Sequence, residues 1–457
     1  MNFENMNEYH LDRSKPPKPG IPKDVKFPEF FETKTASGIT VLVIQDNMLP
    51  VVNVRFVFKA GSFHDSIPGV SAFTVDMLSK GTSKMTATEI ASKIDFYGAT
   101  LSYGSDYDVN YVSIYTLKKY FDNVYNITSD IINDAIFSDE EIDRLRTQKI
   151  NSILSFKDEG EYLASRAFKK FVYGKNTYAN PVEGDEHTLK QINRESLINF
   201  NKNFFTSENL IIAFVGDISP DEALKYVERL EQGSQTSNVK HETKTDSQLT
   251  INNSRSKVLL VNKRDAVQSS LKVGRISKSR SDVDFFPLTI MNNILGGSFT
   301  SRINSNLRER NGYTYGARSY FELKKYSGDF SVETEVKGDI TANAVNEIIF
   351  EIKRMRDEYV SDAELSIMKN YITGNFPLQL ETPGAIASRV IALKLFDLED
   401  DYYQKYISNV NAVTKEDVKK AAEEYLHPDN LVLSIAGNVK ELEKQMKQFG
   451  DIEVVTI

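Results

Sequence analysis

Strand-like and helix-like patterns follow one another along this chain of 457 residues. Apolar positions alternate over residues 39–44, 51–60, 99–103 and 109–117, which predicts four strands. Helical patterns lie between and after these strands, and one of them begins at Thr86-x-x-Glu89. Because strand pairs are followed by helix pairs with few crossovers, we expect an α+β unit of two layers with its helices on one face of the sheet.

The pattern occurs twice. Residues 203–217 and 425–438 each contain a helix end, a turn and an apolar strand that closes on glycine, at Gly216 and Gly437, which are 221 positions apart. Ser138-x-x-Glu141 and Ser361-x-x-Glu364 repeat as predicted capping boxes at helix starts. The sequence therefore predicts two homologous domains in tandem.

Polar and proline-rich segments set the expected boundaries of these domains. Residues 1–30 include Pro-Pro-Lys-Pro-Gly and predict an extended N-terminal arm. Residues 233–257 are rich in Ser, Thr, Asn and Lys and predict a linker. The two domains are then expected at residues 31–232 and 258–457.

Composition narrows the classes of protein. The formal net charge of −8 argues against a nucleic-acid partner, and the lack of cysteine excludes disulfides and thiolate chemistry. No apolar run is long enough for a membrane span and no signal-peptide core is present, so we expect a cytoplasmic chain, or a periplasmic one if a leader was removed. No local pair of histidines has helical metal-ligand spacing among the five present, which are His10, His64, His187, His241 and His427.

Residues 69–82, GVSAFTVDMLSKGT, have the frame of a zinc-peptidase helix. An inverted zinc motif, His-x-x-Glu-His, places two imidazoles and a general base on one helical face. The three corresponding positions are Ala72, Val75 and Asp76. A methyl group, an isopropyl group and one carboxylate cannot supply the three protein ligands that a catalytic zinc needs. We therefore expect no metal on this chain.

The surrounding residues carry a family resemblance. Gly69, Phe73, the Met-Leu-x-Lys-Gly-Thr exit at 77–82 and Tyr178-x-x-Pro181 resemble the M16 family of insulinase and mitochondrial processing peptidase, in its small bacterial form. The resemblance extends over nearly the whole chain from residue 12 onward. It implies two α+β domains arranged like a clam shell. It also implies that the further glutamate ligand of the family falls near Ser152, which is not a ligand either.

The strongest positive signal lies in the second half, where LGGSFTSRINSNLRERNGYTYG spans residues 295–316. The pattern predicts a short helix with Phe299, Ile303 and Leu307 as its buried stripe and Gly312 as its left-handed stop. The resemblance implies that Arg308 and Tyr315 line the wall of the active site and bind the substrate. A guanidinium and a phenol can stabilise the oxyanion that develops on a peptide carbonyl. Alternatively, Arg308 pairs with Glu309 or solvent and Tyr315 packs in a sheet.

The strand at 100–105 resembles the edge strand that lies next to the zinc helix in this family. An exposed edge binds an extended peptide through its main chain, so Leu101, Ser102 and Tyr103 are candidate substrate contacts. An ordinary paired strand is the alternative.

Together these features resemble the zinc-less subunit of a heterodimeric bacterial M16 peptidase. The resemblance implies a chain that is inactive alone and a partner M16 subunit that carries the zinc and the His-x-x-Glu-His motif. Peptides are the expected substrate. The alternative function is that of a structural or interaction protein, like the M16-like core subunits of respiratory complexes. An unrecognised hydrolase site is a third reading, but no Gly-x-Ser-x-Gly nucleophile motif is present.

Overall fold

A computed structural model describes residue 14 and residues 25–233 and 256–457 of the chain. Most of the predicted arm and almost all of the predicted linker lie outside the described residues. The last helix of the first half ends at Gly233, and the first strand of the second half begins at Lys257.

Twelve strands are present in the described residues, in two sheets of six. Their bounds are β1 (Phe31–Lys34), β2 (Thr40–Gln45), β3 (Val51–Phe58), β4 (Thr100–Ser105), β5 (Asn110–Leu117), β6 (Leu210–Gly216), β7 (Lys257–Asn262), β8 (Gln268–Ser277), β9 (Ala317–Leu323), β10 (Gly328–Lys337), β11 (Val432–Gly437) and β12 (Asp451–Val455).

The helices of the first half are α1 (Val70–Leu78), α2 (Ala87–Phe96), α3 (Phe121–Asn133), α4 (Asp139–Phe156), α5 (Gly160–Tyr173), α6 (Glu186–Gln191), α7 (Arg194–Phe204) and α8 (Pro220–Gly233). Those of the second half are α9 (Phe285–Asn292), α10 (Arg302–Asn304), α11 (Thr341–Asp357), α12 (Asp362–Asn375), α13 (Pro383–Leu395), α14 (Tyr406–Ala412), α15 (Lys415–Tyr425) and α16 (Val439–Met446).

The two sheets have matching strand orders, β1-β2-β6-β3-β5-β4 and β12-β7-β11-β8-β10-β9. In both, the strand that closes on the repeated glycine pairs in parallel with one neighbour and antiparallel with the other. The outer strands differ, because β1 runs antiparallel to β2 whereas β12 runs parallel to β7. The expectation of two homologous α+β domains is confirmed.

The second face of each sheet is covered by a helix from the other half. Helix α13 packs its apolar residues, including Ile386 and Val390, against Leu42 and Val215 of the first sheet. The first-half helix α5 packs in the same way on the second sheet. At the start of α5, a β-carbon on Gly160 would lie 2.3 Å from Ser270 Oγ, so only glycine allows this close approach. The prediction of helices on one face was therefore incomplete.

A buried polar cluster also joins the halves. Tyr173 of α5 donates a hydrogen bond to Asp329 Oδ2 at 2.6 Å, and Lys324 Nζ donates to the same oxygen at 2.9 Å. Burial alone would raise the pKa of Asp329, but the nearby lysines outweigh it and hold that pKa below its usual value. The ion pair of Lys324 with Asp329 lies within the second half, and Tyr173 adds a buried hydrogen bond to it from the first half.

Candidate functional site

Helix α1 contains the positions of the zinc motif, and its start is held by a side chain. Asp65 accepts hydrogen bonds from the backbone N–H groups of Gly69 at 2.7 Å and Ser71 at 3.0 Å. These are first-turn amides that have no partner within the helix. The helix is therefore fixed at the point where the sequence frame begins.

Helix α1 is buried on almost every side. Ala72 is 2% exposed and Val75 is not exposed at all. Of its nine residues, only Asp76 is not fully buried. A helix that is buried on almost every side belongs to the core of its domain. Two of the three motif positions, one of a zinc ligand and one of the general base, therefore serve packing.

The third position, Asp76, is held in an ion pair that the sequence did not predict. Lys149 of α4 places its ammonium 2.5 Å from Asp76 Oδ2, and it also contacts the carboxylate of Glu183. The Lys149 side chain is 11% exposed. The ammonium group of Lys149 thus lies next to a motif position. Lys149 lies one turn before Ser152 on the same helix face, and this spacing was the available signal.

The electrostatics of this pair reflect its burial. Burial raises the pKa of Asp76, and the attraction of Lys149 only partly opposes that rise. Burial alone would lower the pKa of Lys149, but Asp76 and Glu183 together raise it above its ordinary value. Lys149 therefore stays charged at neutral pH and repels a second cation.

Ser152 lies one turn beyond Lys149, exposed on α4. It lines a cavity of about 750 Å³ together with Lys149 and Glu183. Apolar side chains, including Ile153 and Phe156, form much of the wall. The motif region thus borders a space large enough for a peptide segment, but hydroxyl, ammonium and carboxylate groups face it without a set of metal ligands.

The segment that leads to Arg308 and Tyr315 differs in part from its predicted form. Ile303 and Leu307 are fully buried, but Phe299 is 66% exposed, so the three-residue stripe was wrong at its first member. The reason is that helix α10 begins only at Arg302, so Phe299 precedes the helix and is not on its buried face. Residues Ser305–Arg310 continue the segment as a π-helical turn. Gly312 has the left-handed φ of +63° expected of a helix stop.

Arg308 lies on the π-helical turn and its side chain is 36% exposed. Its guanidinium lies over the ring of Phe299, 4.7 Å from the centroid. It also approaches Glu309 at 3.5 Å, as the alternative interpretation anticipated. Both contacts are weak and on the surface. The guanidinium can therefore turn toward a ligand at small cost.

Tyr315 is 96% exposed and does not pack in a sheet. It lines a cavity of about 330 Å³ between the second sheet and α5, and Glu161 of α5 borders both this cavity and the larger one near Lys149. Arg308 is not among the described residues that line it. The chain alone thus presents the phenol to solvent without joining it to the guanidinium.

Strand β4 is the outer strand of the first sheet, pairs with β5 on one side and lies next to α1. Its candidate contacts are Ser102, which is exposed, and Leu101 and Tyr103, which are half-buried. The predicted edge position is confirmed, whereas peptide binding there stays a prediction.

In the described parts of the chain, no group of three or more His, Cys, Asp or Glu side chains is arranged to hold a metal ion. None of the described helices combines the length and the apolar character needed to cross a bilayer. The zinc that the family frame implies does not fit the residues present at 72, 75, 76 and 152, because two of them have no donor atom and Asp76 is engaged by Lys149.

Comparison with known proteins agrees with this fold. Residues 40–186 match the family model described as insulinase (peptidase family M16), and residues 191–372 and 412–455 match the model of the peptidase M16 inactive domain. The chain belongs to the M16 family.

Two relatives have names that differ in the activity they state. An uncharacterized zinc protease, YmxG, of Bacillus subtilis is 24% identical over 88% of this chain and 98% of its own length. A non-peptidase homolog, also called YmxG, of Helicobacter pylori is 20% identical over 88% of this chain and 93% of its own length.

Solved structures resemble the fold over most of its length. A peptidase M16 inactive domain from Pseudomonas fluorescens superposes with a TM-score of 0.84 and 23% identity, over 90% of this chain and 98% of its own. A protease from Helicobacter pylori has the same TM-score with 16% identity, over 90% and 100% of the two chains. At these identities the likeness shows the fold alone.

Proposed function

We propose that this chain is the zinc-less subunit of a two-chain M16 peptidase. In this role it binds peptide and contributes Arg308 and Tyr315 to an active site whose zinc is held by a partner M16 chain with an intact His-x-x-Glu-His motif. The contrast between the two candidate regions carries the proposal. Asp76 is tied to Lys149 in the position where a metal ligand is expected, while Tyr315 is 96% exposed.

The exposed phenol of Tyr315 is suited to an active site that is shared between two chains. A tyrosine with almost no buried surface contributes little to the stability of its own fold. Its hydroxyl can donate a hydrogen bond to a carbonyl oxygen that becomes negative during peptide hydrolysis, and the Arg308 guanidinium can add a charged donor. In the proposed complex, the partner polarises the carbonyl and this chain stabilises the developing charge.

Peptide binding has a second supporting feature. Strand β4 is an outer strand, with its second side unpaired to any strand among the described residues, and it lies beside α1. An extended peptide pairing with β4 would lie on the strand that packs against α1, the helix that contains the motif positions. In this binding mode, Leu101, Ser102 and Tyr103 would contact the peptide through their main chain rather than through their side chains.

The test is reconstitution. The purified chain is mixed with the zinc-bearing M16 chain encoded in the same genome, and cleavage of a fluorogenic peptide library is measured for each chain alone and for the mixture. We expect cleavage by the mixture and none by this chain. Arg308→Ala is expected to remove most of that activity, and Arg264→Ala, on an exposed arginine of the same half, is the matched control. A mixture that cleaves nothing, or an Arg308→Ala mixture with full activity, contradicts the proposal.

A purely structural role is the second candidate, and the relative named a non-peptidase homolog favours it. This role predicts a stable complex in which neither chain needs Arg308. Size-exclusion chromatography of the mixture, combined with the cleavage assay, separates the two functions. A stable complex without cleavage supports the structural role.

A further inference from the structure

A third cavity, of about 230 Å³, lies in the second half between the 300–310 segment and α12. It is lined by three arginines and three hydroxyl side chains, namely Arg302, Arg310, Arg354, Thr300, Ser301 and Ser305. Among the described residues of its wall, Glu364 provides the one carboxylate. The wall thus has a formal excess of two positive charges in a chain whose net charge is −8.

Arg302 is the inner arginine, with a side chain only 6% exposed. Its Nε and Nη2 donate to the two oxygens of Glu364, at 2.7 and 3.0 Å. Its remaining nitrogen, Nη1, has no hydrogen-bond partner among the described residues and is buried. A buried guanidinium N–H without an acceptor is costly, so an acceptor at this position would be bound favourably.

Ser301, next to Arg302 in the chain, also has a buried polar atom without a hydrogen-bond partner among the described residues. The residue is 2% exposed, and the atom is its Oγ. Two neighbouring residues in the wall of one cavity therefore each retain an unused polar atom. A ligand that accepts hydrogen bonds from both would satisfy them together.

The outer arginines add charge at the mouth of the cavity. Arg310 is exposed. Arg354 contacts Glu351 at 3.3 Å and Glu358 at 3.4 Å, and neither of these carboxylates lines the cavity. Such long contacts leave guanidinium donors available. Guanidinium and hydroxyl donors in combination match the oxygens of phosphate and carboxylate groups.

We propose that this cavity is a binding site for a small oxyanion of the phosphate or carboxylate type. Arg302 Nη1 and Ser301 Oγ are its inner donors, and Arg310 and Arg354 hold the anion from the mouth. The site is separate from Tyr315 and from the Lys149 region. The proposal of an anion site is therefore independent of the proposed peptidase role.

Isothermal titration calorimetry of the full chain tests the site, with sodium phosphate and sodium acetate titrated separately at constant ionic strength in chloride. We expect saturable binding of at least one of the two anions, one per chain. Binding of phosphate alone identifies a phosphate ligand, and binding of acetate alone identifies a carboxylate. Absence of saturable binding by either anion overturns the proposal.

Variants locate the binding. Arg310→Gln and Ser301→Ala each remove one donor without breaking the Arg302–Glu364 pair, and each is expected to weaken the affinity about tenfold. Arg264→Gln, outside the cavity, is expected to leave the affinity unchanged. Equal affinity of all three variants and the original chain would place the anion elsewhere and overturn the assignment.

Discussion

The region of α1 and the segment that ends in Tyr315 are the two places where this chain resembles an active site, and they have opposite environments. In the first, Ala72 and Val75 are buried in the core and Asp76 is neutralised by Lys149. In the second, Tyr315 is 96% exposed and Arg308 makes only weak surface contacts. The motif positions of α1 therefore serve packing and an internal ion pair, whereas the donors that face solvent have no evident structural task.

The largest expected effect concerns the segment that ends in Tyr315. In the reconstituted complex, Tyr315→Phe should lower kcat about 100-fold, because one oxyanion donor is lost in the transition state. The same substitution should leave the thermal unfolding midpoint unchanged, since the hydroxyl is in solvent. Steady-state kinetics and thermal unfolding provide the two readouts.

Tyr359→Phe is the control, because Tyr359 is also exposed, at 59%, and lies in the same half. If the two variants have equal activity, Tyr315 has no part in the reaction. If Tyr315→Phe raises KM and leaves kcat unchanged, Tyr315 binds the substrate but does not stabilise the transition state.

The second largest effect concerns the region of α1 and its ion pair with Lys149. Lys149→Met leaves the carboxylates of Asp76 and Glu183 without their shared cation, and it should reduce the free energy of unfolding by about 2 kcal/mol. This value is below that for a fully buried pair because Glu183 is 55% exposed. Urea unfolding at neutral pH measures it. A stability equal to that of the original chain would show that Lys149 is not a structural replacement at the motif.

Lys149→Arg is the matched control, since it keeps the positive charge. Its loss of stability should be smaller than that of Lys149→Met. Equal losses would assign the effect to the shape of the side chain rather than to its charge.

A smaller effect is expected of Lys149 on zinc affinity, measured after the family's metal ligands have been introduced. A chain with Ala72→His, Val75→Glu, Asp76→His and Ser152→Glu has the residues of the family motif. If Lys149 lies at the metal position, adding Lys149→Ala should strengthen zinc affinity about tenfold, by removing a nearby like charge. Competition with a fluorescent zinc chelator compares the two variants. Equal affinities would separate Lys149 from the metal position.

The smallest effect is a pH dependence in the second half. Hydrogen bonds and charge from Arg302, with the bonds from Ser361, outweigh burial and lower the pKa of Glu364 from 4.5 to about 2. A lowered pKa means that the ionised form stabilises the fold, so this contribution is present above about pH 4.5 and is lost as the pH falls toward 2.

Because Glu364 is partly exposed, we expect Glu364→Gln to cost only about 1 kcal/mol at pH 7, and the difference from the original chain should narrow below pH 4.5. Urea unfolding at pH 7 and over the acidic range provides the check. A difference that does not change with pH would contradict an ionic origin.

Local patterns predicted much of the fold. The alternating segments became β2, β3, β4 and β5, and Gly216 and Gly437 end equivalent strands in the two halves. Ser361 and Glu364 form the full capping box, whereas Ser138 caps Glu141 N but the Glu141 carboxylate turns to Arg144 instead. The Ser-x-x-Glu pattern does not show that Arg144 competes with the backbone for the Glu141 carboxylate.

Contacts between distant segments could not be predicted. The covering of each sheet by a helix of the other half depends on tertiary packing, since a helical stripe does not name its partner. The Asp76–Lys149 pair joins α1 to α4, and its only sequence signal was that Lys149 lies one turn before Ser152 on α4. Phe299 lies on the surface because the helical turn begins only at Arg302, and the apolar pattern does not fix the residue at which a helix starts.

The most direct test of the account is the zinc content of the purified chain after incubation with excess zinc and gel filtration, measured by mass spectrometry together with peptide cleavage. We predict a zinc content far below one ion per chain, with no cleavage. One tightly bound zinc per chain, with cleavage that stops when a chelator removes it, would contradict the account.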